Sequence, residues 1–492
     1  MTLKTHSLAR SHGIPVRVLV FLAMVFVAII FGLLAVTANP MFIGLGVGLV
    51  GGVILLAIPR MSIYLLLAIG LSMGAMISFA GPAFGKLPWA MSLLGILLLI
   101  PAFLHIVGRN KHPTPLFVWL VIAFMLYALI ATGLQFESIG QFFAGFKRYF
   151  QVTGMLLALA LLAFDEKDFR RWQNLLLGIG VLQIPFSLYA LLVLVPQRGG
   201  LETASYTTDV VAGTFGANLE GGSPGIVMVV FLLVVFSFLF SRWRSGLISK
   251  AKTLLLSVIL LLPLGMAENK IAIFMVPMVW FVLVRHDLAR SPVKYLPVLL
   301  SGLLFTGVLG YVYVVLIMKS NLADVVEATI NYNFAEAGYG SFYLNRTTVL
   351  SFWFGEQGMH NPISFFFGNG LGSAFLGQIS GHIGMRYPYY GIDLTAASTL
   401  LWDLGIIGFM MFAAIFVVAW CTAGKIYSES QDGEVKADCL AIQAAISLFL
   451  LLIFYSQDIV NLISMEIVYS AVLGYLGYLY SRHYAAVKVT GA

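Results

Sequence analysis

Apolar runs of about 18 residues or more recur along this chain, VLVFLAMVFVAIIFGLLAV (18–36) being the first. Each is long enough to cross a hydrocarbon core roughly 30 Å thick. With 60% hydrophobic and 10% charged residues, an ordinary soluble domain is excluded. The expected fold is all-α: a polytopic transmembrane helical bundle of about 12–14 spans. No Pro/Ser-rich linker or charged tail separates the runs, so residues 1–492 read as a single integral membrane domain. The first run is too long for a cleavable signal and reads as a retained span. A net charge of +7 does not argue for nucleic acid, because membrane proteins collect Lys and Arg on one face. Cys421 and Cys439 flank one loop, which argues against a disulfide framework and a thiolate metal site.

Spans are expected at 17–38, 41–58, 61–80, 89–108, 115–134, 150–165, 172–196, 224–241, 252–267, 271–285, 295–317, 395–420, 439–456 and 459–480. With the N-terminus in the cytoplasm, the basic loops around 109–111, 165–171, 242–252 and 285–294 all fall inside, as the positive-inside rule requires, and both termini are cytoplasmic. Eight of the 28 basic residues fall outside: Lys86, Lys147, Arg148, Arg198, Lys270, Lys319, Arg346 and Arg386. Two connections are long, 197–223 and 318–394, and both are expected on the periplasmic side. The second is rich in Phe, Tyr, Trp and Gly, too aromatic for a disordered tether, so it is expected to pack as short helices on the outer face. Within it, Thr347 to Phe354 places Val349, Phe352 and Trp353 on one helical face. No internal repeat is evident.

Walker A, HExxH, GxSxG and external acidic-pair signatures are missing, so nucleotide hydrolysis and metal-assisted chemistry have no support; no metal site and no cofactor is expected. What remains is a set of polar groups on one side. Arg148, Lys270, Arg346 and Arg386 sit beside spans or in the long loop, either as ordinary external cations or as anion-binding groups. For Lys270, pairing with Glu268 competes with a role toward phosphate. GNGLGS (368–373) is either a set of tight turns or a nest of backbone N–H groups for an anion. His360 and His382 are external imidazoles able to accept a proton near neutral pH. Asp393 is a candidate N-cap of the following span. Asp403 lies roughly 15 Å further along that helix and should face the interior.

Arg346, Trp353, Pro362, then FFFGNGLGS (365–373) and LLWDLGIIGF (400–409) resemble the signature region of the bacterial O-antigen polymerase and O-antigen ligase family. VAGTFGANLEGG (211–222) and AENKIAIF (267–274) resemble two upstream family segments, the second with Lys270 where arginine is usual. The resemblance implies an inner-membrane glycosyltransferase whose donor, and in a polymerase also whose acceptor, is a glycan on undecaprenyl diphosphate. It implies a metal-independent, inverting displacement serving O-antigen, capsule or exopolysaccharide synthesis. Arg346, Lys270, Arg386 and Arg148 would stabilise the departing diphosphate. Where the family carries a histidine at the start of a span, this chain has Leu394. Asp393, one position away, takes the expected role of base, with His382 and Glu356 as alternatives. Trp353, Tyr387 and Tyr389 would stack on sugars. Expected partners are the bilayer and the lipid-linked glycans, with a chain-length regulator or flippase of the same pathway beside them, and no nucleic acid. Polymerase is favoured over a ligase acting on lipid A–core; a polysaccharide flippase is the alternative from another class.

Overall fold

A computed structural model of the chain describes residues 25, 51–52, 55–107, 113–197, 210–217, 224–267, 269–312, 314–315, 321–334, 338, 342–358, 360–377 and 379–490. Two compact units divide at Ser62/Ile63, and the sites discussed below belong to the second, Ile63–Ala492. No strand occurs among the described residues. In lipid an isolated segment must satisfy its own backbone N–H and C=O groups, which the helix does internally.

The helices, in order, are α1 (Pro59–Gly70), α2 (Met73–Ala80), α3 (Leu87–Leu97), α4 (Leu99–Val107), α5 (Leu116–Leu134), α6 (Ile139–Phe150), α7 (Thr153–Leu161), α8 (Glu166–Tyr189), α9 (Gly225–Arg244), α10 (Lys250–Met266), α11 (Ala272–Arg290), α12 (Pro292–Val312), α13 (Leu322–Phe334), α14 (Thr348–Gln357), α15 (Pro362–Phe367), α16 (His382–Arg386), α17 (Ala396–Glu429), α18 (Gly433–Tyr455), α19 (Asp458–Asn461) and α20 (Ile463–Thr490). Seven continuous helical stretches among the described residues are long and apolar enough to cross a membrane, or eight if α1 and α2, bent by 52°, count as one span. About fourteen were expected from the apolar runs. The spans 17–38 and 41–58 lie largely outside the described residues. The other shortfalls have local causes. The 150–165 run is broken at Gln151–Val152 between α6 and α7. α10 has only 17 residues, with Pro263 near its end. α20 is long but carries Glu466 and several tyrosines in its apolar stretch.

Side-chain contacts sort the loops into two groups, one at each end of the bundle. At one end, Arg242 grips Asp438 with both nitrogens at 2.7 Å. Arg170 bridges Glu166 and Glu434, Arg482 joins Glu166, and Arg244 pairs with Asp287. Glu166, Arg170, Arg242, Arg244 and Asp287 come from or border three of the loops grouped by charge, 165–171, 242–252 and 285–294; 109–111 lies outside the described residues. The opposite end gathers the C-terminus of α5, α6, the 342–394 region and the turn after α18.

The segment expected to lie as short helices does so, in α13 to α16. α14 buries Val349 and Trp353 completely or nearly so and turns Phe352 into an aromatic cluster with Tyr387, Tyr390 and Trp402. With Ala374, Ile383, Ile392 and Leu401 these side chains form a small separate core. Burial of each large side chain contributes roughly 1.5–3 kcal/mol, enough to hold a folded cap on the bundle.

Candidate active site

Two arginines from distant parts of the chain meet one short segment. Arg148, in the last turn of α6, is buried; its Nε donates to Asn461 Oδ1 (2.8 Å) and an Nη to Gln457 Oε1 (3.1 Å). Arg346, just before α14, donates from Nε to the Tyr455 carbonyl (2.7 Å) and from Nη1 to Asn333 (2.7 Å), and its guanidinium lies 4.2 Å from the Tyr455 ring centroid. Residues 455–461 are thus flanked by both cations. Between them Asp458 is held above the usual carboxylate range by burial, with Arg346 pulling the other way. The Arg148 guanidinium is roofed by the Phe375 ring at 3.8 Å, while its Nη1 is buried without a hydrogen-bond partner among the described residues. An unmatched, desolvated guanidinium N–H is costly for a protein that uses it only structurally.

Asp393 lies within electrostatic reach of Arg148. Its alternative role as N-cap is taken by Thr395, whose hydroxyl accepts from the Ser398 N–H in a reciprocal capping box. Burial pushes the Asp393 carboxyl above the ordinary range, Arg148 draws it down and Asp403 pushes it up. Among the described residues it makes no ion pair.

The glycine run is not an open anion nest. The Gly372 N–H already serves a carboxylate of the chain, and those of Gly368, Asn369, Leu371 and Ser373 serve carbonyls and a hydroxyl. Asp403 is fully buried and accepts from Ser373 Oγ (2.8 Å), Ala374 N (2.8 Å), Gly372 N (3.0 Å) and Tyr149 OH (3.1 Å). Gly368, Gly370 and Gly372 all have positive φ, and an added Cβ would strike backbone at each: Asp403 and Leu404 for Gly368, Gln135 O at 2.9 Å for Gly370, Gln141 O at 2.8 Å for Gly372. Asn369 donates to the Trp402 carbonyl from both N and Nδ2 at 2.9 Å, and Leu371 N donates to Thr132 Oγ1 at 3.0 Å. Gly405 (φ 66°) interrupts the helical conformation of α17 where Phe366 and Gly368 press against it. FFFGNGLGS and LLWDLGIIGF therefore form one lock, fastened to α5 and α6.

The other expected site residues separate. Trp353, expected against sugar, is 4% exposed and stacks on Phe365 (5.2 Å, 22°), so its ring fills the cap's core instead. Tyr387 is half-buried and donates to the exposed Glu356; burial first, then this bond, pushes its pKa up to about 12. Tyr389 is 66% exposed. Arg386 is exposed, with its neighbour Tyr387 beneath it, 5.4 Å from the ring centroid. Lys270 lies in the turn two residues before α11, next to Asn269, which packs on Gly225 close to Val211; among the described residues it meets none of the arginines, and Glu268 lies outside them. His382 binds Gln141 Oε1 through both its backbone N and Nδ1, each at 3.1 Å. Because that oxygen accepts the backbone N–H, Nδ1 carries the ring proton and Nε2 keeps the free pair. His360 is exposed.

Several participants went unnoticed in the sequence. Gln151 donates to the fully buried Glu466 (2.6 Å) and accepts from Ser92 (2.8 Å), and Lys147 and Arg148 are both within electrostatic reach of Glu466. Glu466 was legible as the one acid in SMEIVYSAVLGYLGY, since a carboxylate in such a run requires a partner. Gln457 and Asn461 had no signal beyond lying between two spans. Of the segments likened to the family, GTFG (213–216) is a buried clamp: Thr214 joins Gln183 twice (2.7 and 2.9 Å) and the Leu71 carbonyl (2.8 Å) at the bend between α1 and α2. Among the described residues no cluster of His, Cys, Asp and Glu is arranged to hold a metal ion. No family model, no curated protein and no solved structure matches this chain.

Proposed function

We propose that the chain is a membrane glycosyltransferase that extends or transfers a polyprenyl-diphosphate-linked glycan on the periplasmic face of a bacterial inner membrane. The observation that supports this reading is the meeting of Arg148 and Arg346 on residues 455–461, with the Arg148 Nη1 unmatched among the described residues and the Asp393 carboxyl within electrostatic reach of Arg148. Paired guanidinium groups suit a departing diphosphate, because their planar forks match phosphate oxygens and a fixed cation stabilises charge as it develops. Asp393 is the general base that takes the acceptor hydroxyl's proton; attack by that oxygen on the anomeric carbon breaks the bond to the diphosphate and inverts the centre. Arg346 is already partly engaged by the Tyr455 carbonyl and Asn333 and acts from the rim. Lys270 and Arg386 fall outside this group.

The test uses purified protein in nanodiscs with lipid-linked repeat units. Arg148→Ala and Arg346→Ala should each lower product formation by about 10²–10³-fold, with Arg346→Lys partly restored. Lys270→Ala and Arg386→Ala should remain within a few-fold of wild type. Equal losses in all four variants, or none in the first two, overturn the assignment. Chain growth from repeat units alone makes the protein a polymerase; inertness until lipid A–core is added makes it a ligase.

A flippase is the second reading, favoured by the 52° bend between α1 and α2 and by the buried Glu466, since broken helices and buried ionisable groups line transport paths. Movement of labelled lipid-linked sugar across proteoliposomes without formation of a glycosidic bond would establish it.

A further inference from the structure

At the end of the bundle opposite Arg148 and Arg346, α8, α9, α10 and α20 surround a cavity of about 180 Å³. Its walls are almost wholly apolar, with Leu177, Phe231, Val235 and Ala471 among them. Its polar side chains include Gln173, Asn174, Arg242, Lys252 and Tyr475. They are not equivalent. Arg242 is neutralised by Asp438 and also donates to Gln173 Oε1 (2.9 Å). Gln173 is half-buried, and Tyr475 lines the same pocket, its hydroxyl donating to Asp438 Oδ2. Lys252 is exposed and, among the described residues, has neither a hydrogen bond nor an ion pair. The stretch Arg242 to Lys252 contains four cations and no acid.

We infer that this cavity is a lipid site, occupied by a hydrocarbon chain of an anionic membrane phospholipid whose phosphate meets Lys252. An apolar void of this size stays dry in water and takes up hydrocarbon, and an empty one forfeits the dispersion contacts of its lining. In a bilayer the nearest hydrocarbon is a lipid chain. The flexible lysine stem reaches the headgroup level while its ammonium stays solvated, and clustered basic residues at a membrane surface favour anionic lipid. The mouth lies at the end away from the two arginines, so this lipid belongs to the other leaflet from the proposed glycan donor. The inference stands whether or not the transferase reading does.

Photo-crosslinking tests it. Full-length protein in nanodiscs is exposed to phosphatidylglycerol or phosphatidylcholine carrying a diazirine in the acyl chain, and labelled peptides are mapped by mass spectrometry. Wild type should be labelled on α8 or α9 at least fivefold more by phosphatidylglycerol, and unlabelled phosphatidylglycerol should compete this away. Ala471→Trp, which fills the cavity, should remove labelling by both lipids; Leu177→Trp is the second filling variant if the first does not fold. Lys252→Glu should abolish the preference for the anionic lipid and keep chain labelling. Equal labelling by the two lipids in wild type, labelling that survives both filled variants, or labelling seen only with a diazirine polyprenyl phosphate would overturn the inference.

Discussion

Asp403→Asn is the sharpest test of the lock between the glycine run and α17. The carboxylate divides its work: Oδ1 takes Ser373 Oγ and Ala374 N, and Oδ2 takes Gly372 N and Tyr149 OH. An asparagine keeps one acceptor oxygen and presents an NH₂ where the other stood. The tyrosine or serine hydroxyl can rotate to accept, but a backbone N–H cannot, so one buried donor is left unmatched. Such a group costs about 1–3 kcal/mol. With a factor of ten for every 1.4 kcal/mol, the opening equilibrium of the turn should rise roughly 5- to 150-fold. Asp403→Ala orphans both N–H groups and should cost about 2–6 kcal/mol. The assay is amide hydrogen exchange in nanodiscs, read on peptides covering 368–376, because local opening sets exchange rates there. Peptides from α9, remote from the lock, serve as the internal reference. Unchanged exchange at 368–376 in Asp403→Asn would refute the argument, and would return Asp403 to the pool of free carboxylates available for chemistry.

Further outcomes follow from the same geometry. A base with a raised pKa loses activity as pH falls through that raised value, so the acid limb of the rate profile should lie above the ordinary aspartate range. In Arg148→Gln the residual activity should show that limb at higher pH still, because the cation drawing Asp393 down is gone; a limb that stays put or moves down contradicts the assignment. Gly74→Ala drives a Cβ into the Phe215 carbonyl and the Gly216 amide, an overpacking that should cost about 1–3 kcal/mol and lower the melting temperature. Gly178→Ala in α8, with nothing within 4 Å of the added Cβ, should be neutral or stabilising by up to about 1 kcal/mol in the same melt.

The sequence by itself determined the bilayer as solvent, the all-helical class and the grouping of loops at the two ends of the bundle. Those properties follow from run length and charge sign, which are local and additive along the chain. It also determined that 347–354 is a helix burying Val349 and Trp353, because one-sided periodicity is enough for that. The tertiary structure decided which polar groups have work left to do. GNGLGS and Asp403 each read as a plausible anion-handling feature alone; only their packing showed that each satisfies the other, and that the glycines are there because backbone passes too close for a side chain. Of four cations equally prominent in the sequence, packing brought Arg148 and Arg346 to one turn and left Lys270 and Arg386 apart. A hydrogen bond consumes a donor and an acceptor from positions tens or hundreds of residues apart, and no local pattern records which pair has been used up.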